Sequence, residues 1–129
     1  MLTEKQRREF KQQLKDRYYD VREEIRLELL RSDNEHFIDL AGLVHDPEEE
    51  SVADLLVDID LALVDMHVEQ IRDIDAALIR LAEGIYDVCL DCGKEIVVER
   101  LQAYPTAKRC TRCQTAYERS HMGHENHTM

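Results

Sequence analysis

CLDCGKEIVVERLQAYPTAKRCTRC, residues 89–113, holds all 4 cysteines of the 129-residue chain. They fall as two C-x-x-C pairs, Cys89 with Cys92 and Cys110 with Cys113, separated by 17 residues. A C-x-x-C turn lets two thiolates face one ion. Two such turns complete a tetrahedron of soft sulfur ligands and leave no open coordination position. The pattern therefore predicts one structural zinc on Cys89, Cys92, Cys110 and Cys113. Gly93 stands where a chain turning past a metal needs a positive φ. Disulfides do not suit a chain whose start, Met1-Leu2-Thr3-Glu4, lacks the apolar run of a signal peptide. A redox pair needs one C-x-x-C in a βαβ setting, and iron–sulfur clusters usually take other spacings. Between the pairs, Glu95–Val98 is expected as a short strand. After Cys113, residues 114–120 are expected as a helix. These roughly 40 residues carry little apolar core, so the metal is expected to hold them together.

Upstream, the pattern is helical. The chain has 4 Gly, 2 Pro and no Trp. Thr3 followed by Gln6 fits a capping box. Phe10, Leu14, Tyr18, Val21, Ile25 and Leu29 then recur on one helical stripe, and no Gly or Pro intervenes before Gly42. These signals predict a helix from about Glu4 to Leu40. Gly42 is placed to end it. Asp46 suits an N-cap, Pro47 the first helical position and Glu49 the third, which puts Glu48, Glu49 and Glu50 at the positive end of the next helix dipole. A second stripe runs through Val52, Leu56, Ile59, Leu63 and Met66, passes polar Gln70, and resumes at Ile74, Leu78, Leu81 and Ile85. Gly84 lies near its end. Two helices of matched length, each on the order of 55 Å at 1.5 Å per residue, with a short turn between them predict an antiparallel coiled-coil hairpin.

The expected fold is thus mainly α: a helical hairpin over residues 1–86 with its tip at about 42–51, then a four-cysteine zinc finger with a C-terminal helix over 87–120. Residues 121–129 are expected as a disordered tail.

The formal net charge is −11. Residues 1–40 hold 9 basic and 10 acidic side chains, residues 41–88 hold 2 and 13, and residues 89–129 hold 6 and 5. The excess thus lies in the turn and second helix. It disfavours general nucleic-acid binding, which needs cations to replace phosphate counterions, and disfavours anionic membranes. No apolar run reaches the roughly 18–20 residues that span a bilayer. The expectation is a cytoplasmic protein.

The zinc-finger residues resemble the DksA/TraR family. The likeness rests on Cys89-Leu-Asp-Cys-Gly-Lys-Glu-Ile, on Glu99-Arg100-Leu101-Gln102-Ala103-Tyr104-Pro105-Thr106-Ala107, on Cys110-Thr-Arg-Cys, and on the preceding Gly84-Ile85-Tyr86. A long helical hairpin directly before the finger is also that family's layout. The resemblance implies a bacterial transcription regulator that binds RNA polymerase directly, with its hairpin in the secondary channel and acidic tip residues near the active centre. It places the tip acids at Asp46 and Glu49, where better-known members carry Asp at the second position. It places Ser51 where Ala is usual, and the added hydroxyl can cap. Positions that in longer members help bind guanosine tetraphosphate fall on Asp73, Tyr104 and Gln114, which implies little dependence on that nucleotide.

Other signals are weaker. His121, His124 and His127 recur every third residue in the tail, a spacing that would suit a metal only if the tail ordered. Lys108, Arg109 and Arg112 form a small basic patch, readable as solubilising charge or as a docking surface. No nucleophile with its base, phosphate-binding loop or open metal site stands out, so no enzymatic activity is expected. A monomer is expected. The rival reading is a zinc-stabilised coiled-coil adaptor for another protein.

Overall fold

A computed structural model of the chain describes residues 2–31, 34–45, 51–56 and 62–128; for 45, 62–63 and 122–128 only the backbone is described. Among the described residues six helices follow in order: α1 (Glu4–Leu30), α2 (Glu35–His45), α3 (Val52–Leu55), α4 (Ala62–Glu83), α5 (Val98–Ala103) and α6 (Thr111–Thr128). Among the described residues none is long and apolar enough to cross a membrane. The architecture is the mainly α one expected: an antiparallel helical hairpin, a cysteine-bearing finger and a C-terminal helix.

The chain divides into two compact units, Gln12–Ala76 and Met1–Lys11 with Ala77–Met129. The first unit is the body of the hairpin. On α1, Leu14, Val21, Ile25 and Leu29 are buried, as their spacing predicts. They share this core with Leu40, Ala41 and Val44 of α2, Val52 and Ala53 of α3, and Val64, Val68, Ile71 and Ile74 of α4. A fully buried Leu or Ile side chain contributes roughly 1.5–3 kcal/mol, so this ladder of aliphatics is what binds the helices. Two polar contacts show its register. His67 Nε2 lies 3.0 Å from Glu24 Oε2, and the Tyr18 phenol, its pKa raised chiefly by burial, is raised further by the nearby Asp75 charge. Six residues back along α1 thus correspond to eight forward along α4, as antiparallel helices require.

The first helix is interrupted. It ends at Leu30, and α2 begins at Glu35. Asn34 starts α2: its Oδ1 accepts the His36 N–H at 2.9 Å, and its carbonyl accepts those of Phe37 and Ile38 at 3.1 Å. Asn34 is of the short polar type that competes for the backbone and favours caps over helix interiors. Gly42 lies inside α2 rather than at a helix end.

The second helix is also divided. Leu56 caps the C-terminus of α3, and α4 starts at Ala62. The expected stripe loses its phase across this division. In α4 the buried face is Val64, Val68, Ile71, Ile74 and Ala77, while Met66 is 52% exposed. The two patterns coincide at Ile74 and diverge on its N-terminal side, where Ile71 takes the place given to Gln70. The expected N-cap at Asp46 and first turn from Pro47 to Glu49 lie outside the described residues. Ser51 is an observed cap: its Oγ accepts the Asp54 N–H at 3.1 Å.

The second unit joins the start of α1 and the end of α4 to the finger. Thr3 and Gln6 form the predicted capping box, with Gln6 N–H donating to Thr3 Oγ1 at 3.1 Å and Thr3 N–H to Gln6 Oε1 at 2.9 Å. At the other end, α4 closes in a Schellman turn. The Ile85 N–H reaches back to the Arg80 carbonyl (2.9 Å) and that of Gly84 to Leu81 (3.3 Å), with Gly84 at φ 78°.

Candidate metal centre

Chain direction reverses twice to build this centre. Past Gly84, Val88 pairs with Glu95 in an isolated antiparallel bridge. The expected strand over 95–98 is no more than this bridge, because Val97 already serves as the N-cap of α5. The first knuckle lies inside the bridge. Cys89 N–H donates to the Lys94 carbonyl at 2.8 Å, and Gly93 N–H returns to the Cys89 carbonyl at 3.0 Å. Gly93 has φ 73°, the left-handed conformation expected of it. The second knuckle leads into α6, where Gln114 N–H donates to the Cys110 carbonyl at 2.9 Å. Leu90 N–H donates to the Lys108 carbonyl at 2.8 Å, tying one knuckle to the other.

The result brings all four cysteines together. Their sulfur atoms lie within 4.8 Å of one another, with Cys92 Sγ and Cys110 Sγ 3.9 Å apart. A tetrahedral zinc with Zn–S bonds of about 2.3 Å sets its sulfurs roughly 3.8 Å apart, so the cluster fits that ion closely. The electrostatics agree. Burial alone would push the Cys89 thiol up, but hydrogen bonds from the backbone of Cys92, Cys110 and Asp91 and from the Cys92 side chain outweigh it and bring its pKa down to about 6. Cys113 is pushed up to about 12, chiefly by its hydrogen bond with Cys110, then by burial and by Cys89 and Cys92. Four crowded thiols cannot each ionise against the others' charge. One divalent cation neutralises them together, and with all four positions filled it serves structure. The chain is built for one structural zinc.

Around the ligands lies a set of contacts that local pattern does not announce. Arg109 Nε donates to Asp91 Oδ2 at 2.7 Å, joining the residue before the second cysteine to the one before the third. The same guanidinium lies 4.0 Å from the Tyr117 ring centroid, and that ring stacks on His121 at 3.8 Å. Arg100 Nε donates to the Arg109 carbonyl at 2.9 Å. Beneath them Tyr86, 1% exposed, donates its hydroxyl to the Pro105 carbonyl at 2.6 Å and packs against Phe10 with ring centroids 5.3 Å apart. The only signal for Asp91–Arg109 was opposite charge next to cysteines of the two pairs, Asp91 before Cys92 and Arg109 before Cys110, which becomes a pair only once the knuckles meet in space. α6 continues to Thr128, past Ser120, where the helix was expected to stop and a disordered tail to begin. The helix carries through Gly123, and at its approach the His121 ring bonds back to the Tyr117 carbonyl.

Of the tip residues, Asp46 and Glu49 lie outside the described residues, and Ser51 is occupied as the α3 cap. Asp73 is exposed, Tyr104 lies under the Arg100 guanidinium, and Gln114 bonds Glu118.

Comparison with known proteins places this geometry. Residues 84–119 match the family model of the prokaryotic dksA/traR C4-type zinc finger. The uncharacterized protein YteA of Bacillus subtilis (strain 168) is 31% identical over 119 residues, covering 83% of this chain and 47% of that one. The RNA polymerase-binding transcription factor DksA of Escherichia coli (strain K12) is 30% identical over 83 residues, covering 64% of this chain and 55% of that one. The chain spans about half the length of these curated relatives. The solved structure of the transcription factor DksA2 from Pseudomonas aeruginosa superposes with a TM-score of 0.60 at 27% identity, over 92% of this chain and 88% of that one. The finger over residues 84–119 is thus of the dksA/traR type, and the likeness to DksA proteins runs from the knuckles back through the hairpin.

Proposed function

We propose that the chain is a bacterial transcription regulator that binds RNA polymerase directly and modulates initiation, without sequence-specific DNA binding and without enzymatic activity. In this reading it acts as a cytoplasmic monomer that inserts the tip of its hairpin into the secondary channel. Asp46 and Glu49 present carboxylates towards the active centre, and guanosine tetraphosphate is not required. The observation that carries the proposal is the four-thiolate finger joined to a helical hairpin, in a chain whose fold resembles that of DksA2 over 92% of its length. The chemistry is consistent with it. A closed zinc site offers no substrate position, and a net charge of −11 suits a protein partner better than a phosphate backbone.

The test is co-elution of the zinc-loaded protein with purified core polymerase at micromolar concentration. Absence of a complex would remove the proposal in favour of an adaptor for a different protein. A second reading keeps the binding and drops the tip activity. It is favoured by Ser51, whose hydroxyl is engaged by the Asp54 N–H. Asp46→Asn and Glu49→Gln decide between the two in transcription assays: altered output supports an active tip, unchanged output a competitor for the channel.

A further inference from the structure

We propose that Lys108, Arg112 and Arg119 form a second docking surface on the zinc finger, complementary to an acidic surface of the same polymerase partner; the inference rests on the polymerase reading above. Residues 100–119 contain five basic side chains and one acidic one, Glu118, in a chain that is acidic overall. The structure sorts the five. Arg109 is spent internally: its side chain is 11% exposed, paired with Asp91 and stacked on Tyr117. Arg100 is held by the Arg109 carbonyl and covers Tyr104. Glu118 bonds with Gln114. Lys108, Arg112 and Arg119 are exposed, and among the described residues no carboxylate pairs with them.

Their placement makes a surface of them. Arg112 and Arg119 are seven residues apart on α6, which puts them on nearly one face and about 10.5 Å apart along the axis. Between them that face carries Thr115 and Ala116, both exposed and small. The Thr115 hydroxyl turns back to the Thr111 carbonyl at 2.9 Å. A partner can thus approach the helix closely, meeting a cation at either end and little polar demand between. Lys108 stands three residues before α6 begins, exposed on the loop whose carbonyl at 108 accepts the Leu90 N–H.

The complementary occupant is a protein surface rich in Asp and Glu. Nucleic acid fits less well. Three cations on a chain of net charge −11 replace few counterions, and the Tyr117 ring that a base would stack on is taken by Arg109 and His121. Together with the hairpin this surface gives attachment at two points, which raises affinity without any new contact at the tip.

The test compares full-length, zinc-loaded wild type with Lys108→Glu/Arg112→Glu/Arg119→Glu and with the milder triple change to Gln. Binding to core polymerase is measured at low and high salt. The expected result is weakening on the order of tenfold for the Glu variant at low salt, mainly through slower association, with less for Gln. The difference should largely vanish near about 0.5 M salt, where screening is strong. Unchanged zinc content and circular dichroism show that the variants are folded. If wild type binds and the Glu variant binds equally well at low salt, this inference is overturned while the polymerase reading stands. If wild type fails to bind polymerase, both fall. It is overturned as well if the variant loses binding only to a mixed-sequence DNA or RNA, or if it instead abolishes a wild-type dimer seen by sedimentation.

Discussion

Removing one oxygen atom, in Tyr86→Phe, tests how the finger is held to the helices that carry it. The hydroxyl is buried and donates to the Pro105 carbonyl at 2.6 Å. Burial pushes its pKa up to about 12, against a smaller opposing effect of Arg80. It therefore stays protonated, and stays a donor, across the whole neutral range. The Phe variant keeps the ring packed on Phe10 but leaves a buried carbonyl without its partner, which costs about 1–2 kcal/mol. For a chain of this length each kcal/mol moves Tm by about 4 °C, so the expected drop is roughly 4–8 °C, the same at pH 6 and pH 8. A second effect should follow. Pro105 lies five residues before Cys110, and Ala107, between them, accepts Arg80 Nη2 at 3.3 Å. With this loop less firmly held, the second knuckle is less preorganised, and chelator competition should show weaker zinc binding as well. The assay is thermal unfolding followed by circular dichroism, with zinc in slight excess. A drop below about 1 °C would refute the reasoning, since it would mean that the carbonyl is satisfied without the hydroxyl.

Two further outcomes follow from the same physics. Cys110→Ser removes one of four ligands, so zinc stoichiometry measured by mass spectrometry should fall from one towards zero. Helical signal from α5 and α6 should be lost, while part of that from α1 to α4 survives, because the core of Leu14, Ile25, Ile71 and Ile74 contains no cysteine. Asp75→Asn should raise stability near neutral pH. Burial holds the Asp75 carboxyl above its ordinary value, so the folded state binds its proton more tightly than the unfolded one; the native ionised form costs stability, and that cost disappears as pH falls below its pKa. Urea unfolding at pH 7 and pH 3 should show the gain at the higher pH only, and a gain at both would refute the assignment.

Legibility differs between the two units for a physical reason. The α1 stripe, the Thr3–Gln6 box and the Gly93 turn are local: residues a few places apart decide them, and each stands as the sequence implies. The zinc knuckles are legible over a longer span because cysteine spacing is itself a geometric constraint. The break at Ser32-Asp33-Asn34 was present as a run of capping residues but carried neither Gly nor Pro, and the continuous apolar stripe masked it. The α4 face was misread because a heptad frame was extended through a region where two helices, α3 and α4, keep separate phases. The contacts that fasten the finger, Asp91 with Arg109 and Tyr86 with Pro105, join residues 18 and 19 positions apart. No periodicity records pairs of that kind.

The polar seam contacts, which look like defects in an apolar ladder, have a use that stability alone does not capture. A two-helix seam of aliphatic side chains is tolerant of slippage, because one Leu or Ile packs much like the next. Slipping α4 by one heptad along α1 would set Asp75 opposite Ile25 and His67 opposite Arg31, so that a carboxylate meets a buried aliphatic and the Glu24 contact is lost. In the other direction Asp75 would meet Lys11, but His67 would exchange Glu24 for Arg17. Only the observed register keeps His67 beside Glu24 while holding Asp75 away from Ile25. One heptad displaces a helix by about 10.5 Å, an error that would matter most under the proposed function, in which the end of the hairpin acts. The half-buried Asp75 thus costs stability in the correct register and costs more in the alternative that buries it against Ile25. Asp75→Asn should therefore gain stability and lose part of that discrimination.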